Sequence, residues 1–183
     1  MATKRDQSRK RVVDALNRAR GMELQAISQY MNHHYDLDNM DYGEIAVNMK
    51  LIAVDEMRHA EMFADRIKEL DAEPTAELAG KPERDGEVGR IFAADTDLED
   101  GAIAAYNRFL LTCRESGDST SVKLLEQIID DEQIHFNYFV NVRDHIGRLG
   151  ESYLARIAGT PSASGITYQG FVARQQAGGT ATA

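Results

Sequence analysis

The sequence predicts an all-α protein: a four-helix bundle with one long crossover between its second and third helices, plus a short C-terminal fifth helix. Three observations predict it. Only three prolines, Pro74, Pro82 and Pro161, interrupt the 183 residues. Between them run segments of helical period far longer than the globular average of about 11–12 residues. The first and third connections are short and the second is long, the connectivity of a bundle with one crossover. Third, the chain repeats itself when shifted by 76 positions: Glu23 falls on Glu99, Ala26 on Ala102, Ile27 on Ile103, Tyr30 on Tyr106, Ile52 on Ile128, Asp55 on Asp131, Glu56 on Glu132, His59 on His135 and Phe63 on Phe139. One helical hairpin is thus used twice.

The first helix is expected from about Ser8 to Tyr35, capped by Asp6 or Ser8. The second opens at Asp41, where Asp41 and Glu44 fit a capping box, and ends near Leu70. Residues 71–84 hold two prolines and Gly80 and read as the crossover loop. The third helix is expected from near Asp85 to the Ser116-Gly117 stop; Val88 and Phe92 extend its apolar stripe upstream of Thr96 and Glu99, against a helix start there. The fourth runs from about Ser119 to Leu149 with Gly150 as its stop, and a short helix covers Glu151 to Ala158. Residues 1–158 then form the bundle domain, and 159–183 a tail rich in Gly, Ala, Ser and Thr, expected to be flexible at its end.

With 21 basic and 30 acidic residues the formal charge is −9. That disfavours a nucleic-acid backbone or an anionic membrane as partner and suits metal cations. One cysteine, Cys113, excludes an intrachain disulfide framework and fits a reducing cytosol. The first twenty residues carry seven Lys or Arg and no apolar run, and the longest uncharged stretch, 157–173, is full of Gly, Ser and Thr. No signal peptide and no membrane span are expected, and the expected location is the cytoplasm.

The chemistry lies on the buried stripes. The second helix reads Ile45, Met49, Ile52, Glu56, His59, Phe63, Ile67, Leu70; the fourth reads Leu125, Ile128, Glu132, His135, Phe139, Val142, Ile146. Leu16, Glu23, Ile27 and Tyr30 share a face of the first helix, and Glu99, Ile103, Tyr106, Leu110 and Cys113 a face of the third. Four Glu and two His therefore interrupt apolar stripes that carry no nearby Lys or Arg. Buried together, four carboxylates cannot all stay ionised without a partner. Two divalent cations would neutralise them. Glu-x-x-His puts carboxylate and imidazole one turn apart on one face, so both reach one ion. Mixed oxygen and nitrogen ligation suits iron, manganese or zinc. A lone Glu-x-x-His is weak, but two copies, each 33 residues after a Glu and in phase with the stripes, form the ligand pattern of carboxylate-bridged di-metal bundles. His33, His34 and His145 read as packing or helix-surface residues rather than ligands.

The chain from about Asp6 to Ala158 resembles the bacterioferritins. The resemblance rests on residues 21–30 (Gly-Met-Glu-Leu-Gln-Ala-Ile-Ser-Gln-Tyr), 55–61 (Asp-Glu-Met-Arg-His-Ala-Glu), 99–102 (Glu-Asp-Gly-Ala) and 130–135 (Asp-Asp-Glu-Gln-Ile-His). It implies a ferroxidase centre in which Glu56 and Glu132 bridge two irons, with Glu23 and His59 completing one and Glu99 and His135 the other, and Tyr30 close by. It implies oxidation of Fe²⁺ by O₂ or H₂O₂ and storage of ferric mineral in a hollow cage of 24 subunits built from two-fold dimers. It also implies that Met57 binds haem iron at the two-fold interface, one Met from each subunit, and that a small ferredoxin-type reductant serves iron release. Met57 shares a helical face with Ala46, Lys50, Ala53, Ala60 and Ala64, whose small side chains leave room for a flat group. Where some family members carry an inner-surface histidine, this chain has Leu51, although Asp55 remains. Other readings of the same residues are a di-metal peroxidase or manganese catalase, a haem electron-transfer module, or a bundle without metal. A rubredoxin-like cysteine set is absent.

Overall fold

In the computed structural model, described for residues 3–84, 86–162 and 169–179, six helices follow one another. They are α1 (Lys4–Asn39), α2 (Gly43–Glu69), α3 (Val88–Glu115), α4 (Ser119–Leu149), α5 (Glu151–Ile157) and α6 (Phe171–Gly179). The first four form a ferritin-like bundle. No described helix is long and apolar enough to cross a membrane.

Helix α1 begins earlier than its periodicity suggested because Thr3, not Asp6 or Ser8, is the cap. Thr3 Oγ1 accepts from the Asp6 backbone N–H at 3.1 Å, and the Asp6 carboxylate accepts from the Thr3 backbone N–H at 2.8 Å. Two orphan N–H groups are satisfied reciprocally. At the other hairpin end the expected Asp41–Glu44 box does not form. Asp41 takes a left-handed turn (φ 67°), and α2 starts at Gly43. The capping oxygen comes from 116 residues away: Thr160 Oγ1 accepts from the Glu44 N–H at 2.9 Å, and Gly159 N–H bonds Asp41 O at 2.8 Å. The backbones meet so closely that a Cβ on Gly43 would lie 2.1 Å from the Thr160 carbonyl oxygen. Helix α3 begins at Val88, three residues after the expected Asp85; α4 takes its expected bounds, with Asp118 as N-cap.

The crossover is stitched to α1 along its length. Thr75 N–H bonds Asn17 Oδ1 at 2.7 Å, Ala79 N–H bonds Gly21 O at 2.8 Å, and Glu83 N–H bonds Gln29 Oε1 at 2.9 Å. It therefore climbs the first hairpin and delivers α3 antiparallel to α1. Contacts in register confirm this: Asp95 meets His33, Glu99 meets Tyr30 and Tyr106 meets Glu23.

The core divides in two. One cluster contains Tyr30, Leu37, Ile52, Phe92 and Phe139; the other contains Leu16, Phe63, Tyr106, Leu125 and Ile128. All four long helices pass from one cluster to the other at the same level, where α1 carries Glu23, α2 Glu56 and His59, α3 Glu99, and α4 Glu132 and His135. Ile27 and Ile103, expected on the buried stripes, are only partly buried. The tail departs from its composition: α6 forms there, and Phe171 and Val172 are buried. Its last residues, 180–183, lie outside the described residues.

Removing the Phe139 ring leaves a cavity inside the first cluster, so Phe139→Ala should lower unfolding free energy by about 3–5 kcal/mol. Thr160→Ala removes the borrowed cap of α2 together with the Thr160 hydroxyl's bond to Ile157 O and should cost about 1–2 kcal/mol. Chemical denaturation of both variants checks the ratio.

Candidate metal centre

All six sequence-predicted ligands converge, and each is at most 2% exposed. They form two overlapping groups: Glu23, Glu56, His59 and Glu132, and Glu56, Glu99, Glu132 and His135. Within each group one oxygen or nitrogen per residue lies within 4.8 Å of all the others. Glu56 and Glu132 belong to both. His59 Nδ1 faces Glu56 Oε2 at 3.0 Å and Glu132 Oε1 at 3.2 Å; His135 Nδ1 faces Glu56 Oε1 at 3.1 Å and Glu132 Oε2 at 3.2 Å. Glu23 and Glu99 stand farther out, 3.8 and 3.9 Å from the nearer imidazole. A cavity of about 40 Å³ between α1 and α3 touches all four glutamates, with Met22, Gln25 and Leu98 among its walls.

The outer carboxylates are each held by a buried tyrosine from the other half of the repeat. Tyr30 Oη donates to Glu99 Oε1 at 2.6 Å, and Tyr106 Oη donates to Glu23 Oε1 at 2.7 Å. Aspartates stand behind the imidazoles in the same crossed manner, Asp131 hydrogen-bonded to His59 and Asp55 at ion-pair distance from His135. His59 Nε2 lies 3.3 Å from Asp131 Oδ2, and His135 Nε2 lies 3.5 Å from Asp55 Oδ2. A carboxylate behind a ligating imidazole fixes its ring and raises its basicity. Sequence reasoning gave Asp131 and Tyr106 no role, and noted Asp55 only in connection with Leu51 and the inner surface, not behind His135. The signal was present: each Glu-x-x-His is preceded directly by Asp.

Electrostatics explain why this cluster needs cations. Burial, reinforced by the Glu132 and Glu56 charges, pushes the Glu23 and Glu99 carboxyls well above the usual range. Burial disfavours charge on both imidazoles. The Glu132 carboxylate beside His59 and the Glu56 carboxylate beside His135 outweigh it and push both well up. Burial also opposes charge on Glu132, but the two imidazoles hold it below the usual carboxylate range. The tyrosines, raised by burial and by the adjacent carboxylates, stay protonated donors. Even so, Glu56 Oε1, Glu132 Oε1 and His135 Nε2, all buried, have no hydrogen-bond partner. One free oxygen on each shared carboxylate, four glutamates and two imidazoles fit a pair of divalent cations.

A family model described as "Ferritin-like domain" matches residues 13–149. Bacterioferritin of Desulfovibrio desulfuricans is 54% identical over 172 residues, covering 94% of this chain and 96% of the relative. The chain belongs to the bacterioferritins. A crystal structure of that Desulfovibrio bacterioferritin, which concerns its diiron site in different catalytic states, superposes with a TM-score of 0.87 at 53% identity, covering 93% of this chain and 99% of the other. Mycobacterium tuberculosis bacterioferritin superposes at 0.77 with 34% identity, covering 80% and 93%. The bacterioferritin of Mycobacterium leprae is 35% identical over 82% of this chain and 95% of its own.

Met57 lies outside the cluster. It is 56% exposed, although its neighbour Glu56 is buried. Ala46, Ala53 and Ala60, expected to line an open space beside it, are buried within the bundle. Val54 on α2 and Leu24, Ile27 and Met31 on α1 are partly buried. His33 and His34 are buried packing residues, bonded to Asp95 and to Ala46 O, and His145 bonds Asn141 O.

Stripping divalent metal with excess chelator should lower the melting temperature. Saturation at about 100 times Kd adds about 2.7 kcal/mol, or about 5–10 °C for a chain of this length. The pH dependence has a definite sign. Glu23, Glu99, His59 and His135 all have raised folded values, so their contribution to the metal-free protein is complete below the ordinary values of free carboxyl and imidazole groups. It is lost as pH rises through the folded ones. Metal binding needs the ligands deprotonated. Calorimetry across pH 6–9 should show metal-free stability falling and the metal increment growing.

Proposed function

We propose that this bacterioferritin is a ferroxidase and iron store, cytoplasmic, acting on Fe²⁺ with O₂ or H₂O₂. The observation that carries it is the pair of ligand groups sharing Glu56 and Glu132. As substrate, two ferrous ions bound there supply one electron each to the oxidant, and the ferric product is stored as mineral. The protein's part is positional. Glu56 and Glu132 bridge; Glu23 with His59, and Glu99 with His135, complete the two positions. Tyr30 and Tyr106 each bind one oxygen of an outer carboxylate and leave the other free for the ion. Asp131 and Asp55 keep the imidazoles aimed inward. The small cavity on the carboxylate side gives the centre an opening between α1 and α3. The bundle through residue 158 carries this activity, with the tail from residue 159 as an appendage.

The finer reading concerns assembly and haem. A thioether is an accepted haem-iron ligand, and Met57 is 56% exposed, open to a second copy. Two copies would then hold one haem through two Met57 side chains, in a 24-subunit cage assembled from such dimers. The haem would pass electrons from a small ferredoxin-type reductant inward when iron is released.

Light scattering with a visible spectrum on one sample tests this. The expected result is a particle near 24 times the 20.4 kDa chain mass with about half a porphyrin per chain. A colourless dimer would leave a di-metal peroxidase or manganese catalase of the same fold as the better reading. Glu132→Ala should slow ferrous oxidation by about 100-fold or more, since it removes a ligand common to both positions. Met57→Leu should abolish the Soret band and leave ferrous oxidation unchanged. Iron oxidation that survives Glu132→Ala contradicts the assignment.

A further inference from the structure

The two halves of the centre repeat each other in sequence, but their surroundings differ at one place. Asp131, behind His59, is 27% exposed at its side chain. Asp55, behind His135, is 6% exposed, because the C-terminal tail lies on it. Val172 N–H donates to Asp55 Oδ2 at 3.0 Å, the same oxygen that faces His135 Nε2 at 3.5 Å. Arg58 Nη1 donates to Asp55 Oδ1 at 3.1 Å. The Phe171 ring packs 4.8 Å from Tyr138 and 6.3 Å from the His135 ring. The backbone approaches so closely that a Cβ on Gly170 would stand 1.7 Å from Asp55 Oδ1. A side chain there would force the Asp55 carboxylate and the segment apart.

We propose that residues 170–172 are a positioning element for the metal centre, acting through Asp55 on His135. The Val172 N–H fixes the Asp55 carboxylate, Asp55 stands as the charge partner at the Nε2 edge of the imidazole, and Phe171 covers the contact. The Glu99–His135 position is thereby tied to the tail, and the Glu23–His59 position, whose imidazole is hydrogen-bonded to the solvent-touched Asp131, is not. The two positions differ in affinity and in ligand field although their ligands match. Partners behind a ligating imidazole change metal affinity by about 10–100-fold, so the difference is of measurable size. This rests on the di-iron reading above, and its test separates the two.

The experiment is anaerobic loading with ⁵⁷Fe²⁺, followed by Mössbauer spectroscopy and by the stepwise binding isotherm. The wild-type chain should take two Fe²⁺ and give two ferrous doublets of equal area and different splitting. A chain ending at Ser162 should move one doublet, weaken that position about tenfold or more, and leave the other doublet in place. Asp55→Asn should move the same doublet as the shortened chain, and Asp131→Asn the opposite one. Gly170→Ala keeps the full length and should reproduce the shortened chain, which decides the matter if that chain folds poorly. A shortened chain and a Gly170→Ala variant that leave both doublets unchanged, or shift both alike, overturn the proposal while the di-iron reading stands. A wild-type chain that binds fewer than two Fe²⁺ overturns both.

Discussion

The structure depends on keeping four carboxylates and two imidazoles in one buried layer. Buried charge costs several kcal/mol per ion unless compensated, and this layer lies between two apolar clusters that supply most of the packing. Without cations the groups compromise among themselves: Glu23 and Glu99 are driven toward the protonated form, both imidazoles toward the charged form, and two carboxylate oxygens stay unbonded. With two divalent ions the same groups become acceptors of matching number and sign. The layer that weakens the metal-free bundle is the layer that makes it bind.

Orientation is achieved by crossing the two halves of the repeat. Each tyrosine holds the other half's outer glutamate, and each aspartate backs the other half's histidine. A single hairpin could not do this, since its own tyrosine and glutamate lie on one helix and point along the same stripe. The crossover makes the exchange possible. Bound to α1 at Asn17, Gly21 and Gln29, it brings the second hairpin in antiparallel to the first, so residues 23 and 106 meet, as do 30 and 99.

Much of this was legible in the chain. Heptad-like stripes, three prolines and the 76-residue shift specify four long helices and their pairing, and the interrupted stripes name all six residues that converge. The helix ends were less legible. Thr3 and Asp6 form an ordinary local box, but α2 is capped by Thr160, and no local pattern near Asp41 could reveal an oxygen supplied from the far end of the chain. Small-residue composition in the tail suggested a loose segment, whereas Phe171 and Val172 bury themselves because an apolar surface waits for them on α2 and α4.

Sequence by itself determined the bundle, its doubled plan and the identity of the residues in the polar layer, because helical periodicity and residue chemistry are local properties. Tertiary structure alone decided which tyrosine serves which glutamate, which aspartate stands behind which histidine, and that Met57 faces outward while Ala53 and Ala60 face in. It alone decided that the tail reaches one of two matching aspartates and leaves the other wet. Those outcomes depend on distances between segments far apart in the chain, and such distances are set only when the helices pack.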